Sequence, residues 1–550
     1  LVLSEAIEDI AAQGRVLNNL GALFANRDQP ELAIVFYKES VNISEDIRAG
    51  IRPLSRDLQE SYAQTIAGTY RRLADLLLVQ GRVVEAQQVL ELLKIQEIRD
   101  YTRNAKAGAS QDIDYLIEEL RILETYGPLA AFAQKIAACQ ANNCPELSQL
   151  NQQRDDLQKE FLTKVNELEA AIEQRKQKAP TLDPDNLPAT AQAIVAARPG
   201  TMLIYPLVTE DKLWLLLATQ KGVTTARITE VDQSSLRNAV ANLGVLLANP
   251  DSDLDELQQL SQQLYNWLIA PIENELQTGQ IQHLVFALDE AARYIPMGAL
   301  YDGEQYLVER FTITNIINAD STDVGDRLPE KPTQTPVLGL GVSERIDEFD
   351  PLEHVTEEIN AIVKESPQDS EGYYPGDQYL NRDFQWNVLT SQLAGRKILH
   401  IATHGNFSPV DRDQSFILSG NGERIRAADL STLINYDLKD IHLVVLSACK
   451  TAIGTSSNEE DLGDGAEINS IVSYFLNRDA GAKAALASLW NVNDRSTSEL
   501  MQRFYAELTK SPDMTKSEAI RRAQLSFIDA SDDKSHPYHW APFVLIGNGL

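Results

Sequence analysis

Among the 550 residues, the pair best suited to covalent chemistry is one histidine and one cysteine. The apolar run Lys397-Ile398-Leu399-His400-Ile401-Ala402-Thr403 leads into His404-Gly405-Asn406-Phe407, and His442-Leu443-Val444-Val445-Leu446-Ser447-Ala448 leads into Cys449-Lys450-Thr451. Runs of this kind, separated by helical spacers, read as buried parallel strands, and ligand sites in such sheets form at the carboxyl ends of the strands. A histidine at one strand end can take the proton of a thiol at the next, and the resulting thiolate is the nucleophile that a peptide carbonyl requires. Gly405 leaves backbone space beside the histidine, so its N–H and that of Cys449 are candidates to bind the oxyanion of a tetrahedral intermediate. A lone cysteine at a strand end is more often inert packing. What distinguishes this pair is that both residues end predicted strands and are followed by polar residues or glycine, a setting that His283, His354, His400, His442, His536 and His539 lack.

The elements that must position this pair are legible from periodicity. From about 335 the chain alternates short apolar runs with helical spacers: Val337 to Val342, a helix near 355–364, the two runs above, a helix near 466–478, and Ala484 to Trp490. A mostly parallel sheet covered on both faces follows. Before it, Met202 to Val208, Leu213 to Leu217 and Val223 to Ile228 read as an antiparallel meander, followed by helices over about 232–248 and 253–271 and a buried strand at His283 to Ala287. The Pro-rich segment 179–189 marks a linker ahead of this region.

Residues 1 to about 177 read almost wholly as helix, with Pro and Gly falling between periodic runs. Over 1–110, Leu17-Asn18-Asn19-Leu20-Gly21-Ala22-Leu23-Phe24 with Ala33, Tyr37 and Ser40 has the small and large residue spacing of a tetratricopeptide (TPR) helix pair, and Leu73-Ala74, Leu77, Gly81, Ala86 and Leu90 repeat it. The interval from Ala33 to Ala86 exceeds the repeat of about 34 residues, so an inserted or lengthened helix is expected across 41–66. Two such units are few for a free-standing solenoid, so the array leans on another part or ends a longer one. A chain that opens Leu1-Val2-Leu3 without methionine fits trimming or processing. Residues 111–178 supply a further helical hairpin.

With 80 acidic against 49 basic side chains the net charge is −31, which sets nucleic acid aside as a main partner. No stretch is apolar enough to form a membrane span in this chain, and no signal-peptide pattern opens it. Cys139 and Cys144 flank a short polar turn, where a local disulfide or two surface thiols both fit. Zinc is disfavoured because two thiolates fill half a tetrahedral site and no histidine lies near. No metal and no cofactor are expected. The location expected is cytoplasmic, or exported if Cys139 and Cys144 are bridged.

Four motifs in order make a family resemblance: His404-Gly405 after its apolar strand, Leu446-Ser447-Ala448-Cys449-Lys450-Thr451-Ala452-Ile453-Gly454, Ser488-Leu489-Trp490-Asn491-Val492-Asn493-Asp494, and His536-Pro537-Tyr538-His539-Trp540-Ala541-Pro542-Phe543. Over about 190–550 the chain resembles the CHAT domain, the caspase-like domain associated with TPR helices. The resemblance implies an α/β fold of the clan of caspases, gingipains and separase, with a supporting, inactive half at 190–334 and a catalytic half at 335–550. It also implies a catalytic dyad of His404 and Cys449. Lys450 stands where many relatives carry an acid, and the acidic segment 455–465 is long for the family. That segment occupies the place where caspases are cut on activation, so it is a self-cleavage site or a solvated loop.

The stretch Trp490-Asn491-Val492-Asn493-Asp494 is similar to the Trp-Asp-Val-Thr-Asp stretch of separase, so Trp490, Asn491 and Asp494 are candidate substrate-binding residues. Asp494 would pair with Arg or Lys before the scissile bond. Its competing role is N-cap of a helix over 495–507. The function expected is a cysteine endopeptidase whose TPR-like helices dock a protein substrate or a protein regulator. The alternative is a catalytically silent scaffold that assembles protein partners. A calcium-activated protease rests only on the acidic run near 459–464, which lacks an ordered ligand spacing.

Overall fold

Helix pairs, followed by strands alternating with helices, give a chain of two compact units, one of Leu1–Gln96 with Ala107–Asn186 and the other of Glu97–Lys106 with Leu187–Leu550. The computed structural model describes residues 9–51, 56–99, 113–178, 189–319, 321–366, 368–407, 415–430, 432–433, 438–451, 472, 475–476, 481–490, 492–530 and 532–550.

In the first unit, α1 (Ile10–Ala25) and α2 (Pro30–Ile51) form one hairpin, and α3 (Arg56–Val79) and α4 (Val83–Arg99) a second. Gly21 lets α1 approach α2 closely, since a Cβ there would lie 2.8 Å from the Tyr37 ring. Gly81, at φ +74°, turns the chain between α3 and α4. The wide interval between the two pairs is taken up by lengthened helices, α2 having 22 residues and α3 having 24. A third hairpin, α5 (Ile117–Ala141) with α6 (Leu147–Lys178), carries the Cys139–Cys144 disulfide at its turn, with Cα atoms 4.9 Å apart. Leu17, Phe36, Ile122, Phe161 and Leu168 share one apolar core.

The second unit begins with α7 (Ala189–Ala197) and is built on a 14-stranded sheet. The antiparallel meander is β1 (Thr201–Val208), β2 (Leu213–Thr219) and β3 (Gly222–Thr229), followed by α8 (Gln233–Leu247) and α9 (Leu254–Leu268). Next come β4 (His283–Phe286) and β5 (Thr312–Asn315), parallel to β1 and to each other. The later series is β6 (Val337–Gly341), α10 (Val355–Ile362), β7 (Val363–Lys364), β8 (Tyr374–Leu380), β9 (Ile398–Phe407), the hairpin β10 (Phe416–Leu418) and β11 (Arg424–Arg426), and β12 (Leu443–Thr451). It ends with β13 (Ala484–Ser488), α11 (Asp494–Leu508), α12 (Lys516–Ile528) and β14 (Phe543–Gly547).

Strands run across the sheet in the order β3-β2-β1-β4-β5-β14-β13-β12-β9-β6-β8-β7. The last strand in sequence, β14, lies in the middle, parallel to β5 and antiparallel to β13, so the segments 190–334 and 335–550 share one sheet and one apolar core. The motif from His536 to Phe543 leads directly into β14. Its Trp540 is fully buried, and Gln524 of α12 donates to the Trp540 carbonyl at 3.0 Å. No helix among the described residues is long and apolar enough to cross a membrane.

Candidate active site

The central strand β12 is flanked by β9 and β13, parallel to both. Its register with β9 runs regularly from Leu443 opposite Ile398 to Ser447 opposite Ala402, then shifts so that Cys449 pairs with Gly405. Between those points β9 advances one residue more than β12, which is a bulge, and bulges re-aim side chains at sites of function. The main chain of Cys449 therefore stands beside Gly405, next in sequence to His404. The Cys449 side chain lies outside the described residues.

His404 is half-buried, and its Nε2 is 2.8 Å from the main-chain carbonyl oxygen of Asp350. A carbonyl can only accept, so Nε2 carries a proton, and the tautomer this bond selects has its lone pair on Nδ1. One hydrogen bond thus selects which nitrogen can act as a base. The Phe349 ring packs against the imidazole with centroids 5.1 Å apart, and Phe349 in turn meets Phe416 of β10 edge-on at 6.0 Å. The Arg424 guanidinium of β11 lies 4.8 Å from the Phe416 centroid and 5.8 Å from that of Phe349, and pairs with Glu348. The loop between β6 and α10 and the β10–β11 hairpin thus form a wall behind His404.

The other histidine of β9 is committed elsewhere. His400 is fully buried, with Nε2 2.8 Å from Glu358 of α10 and Nδ1 3.1 Å from the Tyr505 hydroxyl of α11. Burial pushes the Tyr505 hydroxyl well above its usual range, so it stays protonated. This network holds both helices against the strand that carries His404.

Asp494 is the first residue of α11, and the helix is capped by its neighbour: Asn493 accepts the N–H groups of Arg495 at 3.0 Å and Ser496 at 3.3 Å. The N-cap role considered for Asp494 thus belongs to Asn493. The Asp494 carboxylate is half-buried and its Oδ2 accepts the main-chain N–H of His354 at 2.7 Å. Burial raises its pKa above the usual range, and the His354 N–H partly opposes the shift. Trp490 is 1% exposed, and its Nε1 donates to the Tyr538 carbonyl at 3.4 Å. In this conformation it packs in the core under the fourth motif and offers no face to a ligand. Asn491 and the segment 455–465 lie outside the described residues, as does most of the helix expected over 466–478. Among the described residues no group of three or more His, Cys, Asp and Glu side chains could hold a metal ion.

Two features of the site carry no motif of their own, namely the Asp350 carbonyl and the Phe349 ring. The one sequence signal is Asp350-Pro351, because a residue before proline is driven to extended backbone.

The model of the CHAT domain matches residues 258–548, from within α9 to the end of β14, and leaves β1 to β3 outside the match. No curated protein matches the chain. Solved structures of the Saccharomyces cerevisiae separase–securin complex are similar at 9% and 10% identity, with TM-scores of 0.40 and 0.41, over 98% of this chain. This chain spans about half the length of those chains, 53% in each case. The complex of the pro- and mature domains of Porphyromonas gingivalis RgpB is similar at 9% identity with a TM-score of 0.33, over 58% of this chain and 76% of that one.

Proposed function

The chain belongs to the CHAT domain family, and from that premise we propose that it is a cysteine endopeptidase in which His404 activates Cys449. The observation that carries this reading is the bulged register that sets the Cys449 main chain beside Gly405, next to an imidazole whose Nε2 proton is already committed. Nδ1 of His404 accepts the thiol proton, and the thiolate adds to the scissile carbonyl. The negative charge that develops on the carbonyl oxygen is met by the N–H groups of Gly405 and Cys449. Collapse expels the amine, which takes the proton back from His404. Water, deprotonated by the same ring, then cleaves the thioester and regenerates the thiol.

Substrates with Arg or Lys before the scissile bond are favoured in this reading. Oδ1 of Asp494 accepts no hydrogen bond among the described residues, which leaves it to a cationic side chain. The helical first unit docks a protein substrate or a protein regulator in this reading, because stacked helix pairs present extended binding surfaces.

The test is hydrolysis of fluorogenic peptides by the wild type and by Cys449→Ala, with iodoacetamide labelling followed by mass spectrometry. Cys449, the cysteine outside the Cys139–Cys144 disulfide, should react faster than an ordinary free thiol, and the alanine variant should lose hydrolysis while keeping the wild-type circular dichroism spectrum. Wild-type turnover in Cys449→Ala would refute the reading.

A further inference from the structure

We propose that Asn381 is a positioning residue for His404, acting through the loop between β6 and α10. The inference rests on His404 being the base of the proposed reaction. The two groups of that loop that touch His404, the Asp350 carbonyl and the Phe349 ring, lie in its middle, away from either flanking element. A loop can hold a carbonyl to a fraction of an ångström only if its ends are fastened. Within the loop, Ile346 and Phe349 exchange main-chain hydrogen bonds of 3.2 and 2.8 Å, making a tight turn with Asp347 at φ +48°.

Asn381 fastens the start of the loop. Its Oδ1 accepts the N–H groups of two successive residues, Ser343 at 2.8 Å and Glu344 at 3.1 Å, and its Nδ2 donates to the Ser343 hydroxyl at 3.1 Å. The residue sits just beyond β8 in the left-handed region, φ +52°, where asparagine is tolerated and most other side chains are not. It is clamped there from outside as well: a Cβ at Gly420, in the β10–β11 turn, would lie 1.5 Å from the Asn381 carbonyl oxygen. A residue held in a sparsely populated conformation by several neighbours, bonded to the start of a loop that touches a candidate catalytic group, is the pattern expected of a positioning device. At the far end of the loop the Asp494 carboxylate receives the His354 N–H, so the loop is gripped at both ends. Asparagine suits the first grip because one side chain supplies two acceptor sites and a donor while accepting positive φ.

The experiment uses full-length protein with 15N-labelled histidine, the His404 signals being assigned with His404→Gln. In the wild type the ring shifts should report the tautomer protonated on Nε2. In Asn381→Gly, which keeps the φ but removes the grip, that tautomer should lose its dominance. In the same variant kcat should fall about 10- to 100-fold with KM changed less than about threefold, and the acid limb of the pH profile should move. Asn381→Asp, which keeps both acceptor bonds, should keep the wild-type tautomer. Should Asn381→Gly not fold, Asn381→Ser shortens the side chain so that its hydroxyl cannot span both the Ser343 and the Glu344 contacts, and a smaller shift of the same kind is expected. A wild-type tautomer and pH profile in the folded Gly or Ser variant would overturn the proposal. If the wild type hydrolyses no peptide, the peptidase reading fails, and the tautomer measurement still decides whether Asn381 positions His404.

Discussion

An imidazole with one ring nitrogen bound to a carbonyl has only the other to offer, and at His404 the free one is Nδ1. The same logic of committed and uncommitted atoms applies to Asp494. One of its oxygens is bound to the His354 N–H, while the helix-capping role lies with Asn493. The two neighbours should therefore separate in their effects. Asp494→Ala should cost on the order of 2 to 5 kcal/mol of discrimination between basic and neutral side chains before the scissile bond, since a desolvated substrate cation would be left unpaired. Asn493→Ala should lower stability by about 1 kcal/mol and leave that ratio unchanged. Peptide-library profiling with thermal denaturation of both variants measures this, and a wild-type preference for acidic residues at that position would remove the basic-pocket assignment.

At the scale of elements, the first unit is held by more than apolar stripes. Lys38 of α2 is fully buried and reaches Glu85 of α4 at 2.6 Å and Glu119 of α5 at 2.8 Å. Arg82, in the turn before α4, reaches Glu31 of α2 at 2.9 Å and Glu119 at 2.6 Å. Glu119, itself fully buried, is where both cations meet. Buried ion pairs add little net stability when intact, but removing one partner strands the others in a medium that cannot solvate them. Glu119→Ala is therefore expected to destabilise the first unit by about 3 to 5 kcal/mol, read as a loss of hydrogen-exchange protection in α2, α4 and α5. Hydrolysis of short peptides by the second unit should be unaffected, and unchanged protection in the three helices would refute this role.

For the whole molecule, the division into two units predicts a division of labour. Deleting residues 9–178 should weaken cleavage of a protein substrate far more than cleavage of a short peptide. Equal losses on both would mean that the helices hold the second unit together. Stability against acid is a second whole-molecule property. Burial pushes His283 down to about 4, with Arg198 adding to the effect, and pushes His442 down to about 4 despite Asp326 nearby. Both have an ordinary value of 6.5 in the unfolded chain. Between those values the unfolded state binds protons that the native state refuses, so stability falls as pH drops from 6.5 towards 4 and is insensitive to these groups above 6.5. Urea denaturation at neutral and mildly acidic pH should show the loss, and His283→Gln with His442→Gln should flatten it. An unchanged acid slope in the double variant would assign the effect to other groups.

How much of this was legible beforehand follows the range of the interactions involved. The strands of the meander, the runs ending in His404 and Cys449, and the helix pairs around Gly21 and Gly81 were readable because each depends on the periodicity and residue types of one short segment. The motif marks Trp490 as a candidate binding residue, yet it is buried beneath the segment before β14, a contact between parts of the chain 48 positions apart. The insertion of β14 between β5 and β13, which fuses two half-sheets into one, has no local signal, because strand order is decided by which apolar faces must be covered together. Residue types and periodicity alone specify the chemistry on offer, a histidine and a thiol that close apolar runs, although β9 and β12 continue past them to Phe407 and Thr451. Which imidazole nitrogen is free depends on the folded chain, because that choice is made by the carbonyl of Asp350, a group every residue possesses, brought to His404 by a loop that Asn381 holds.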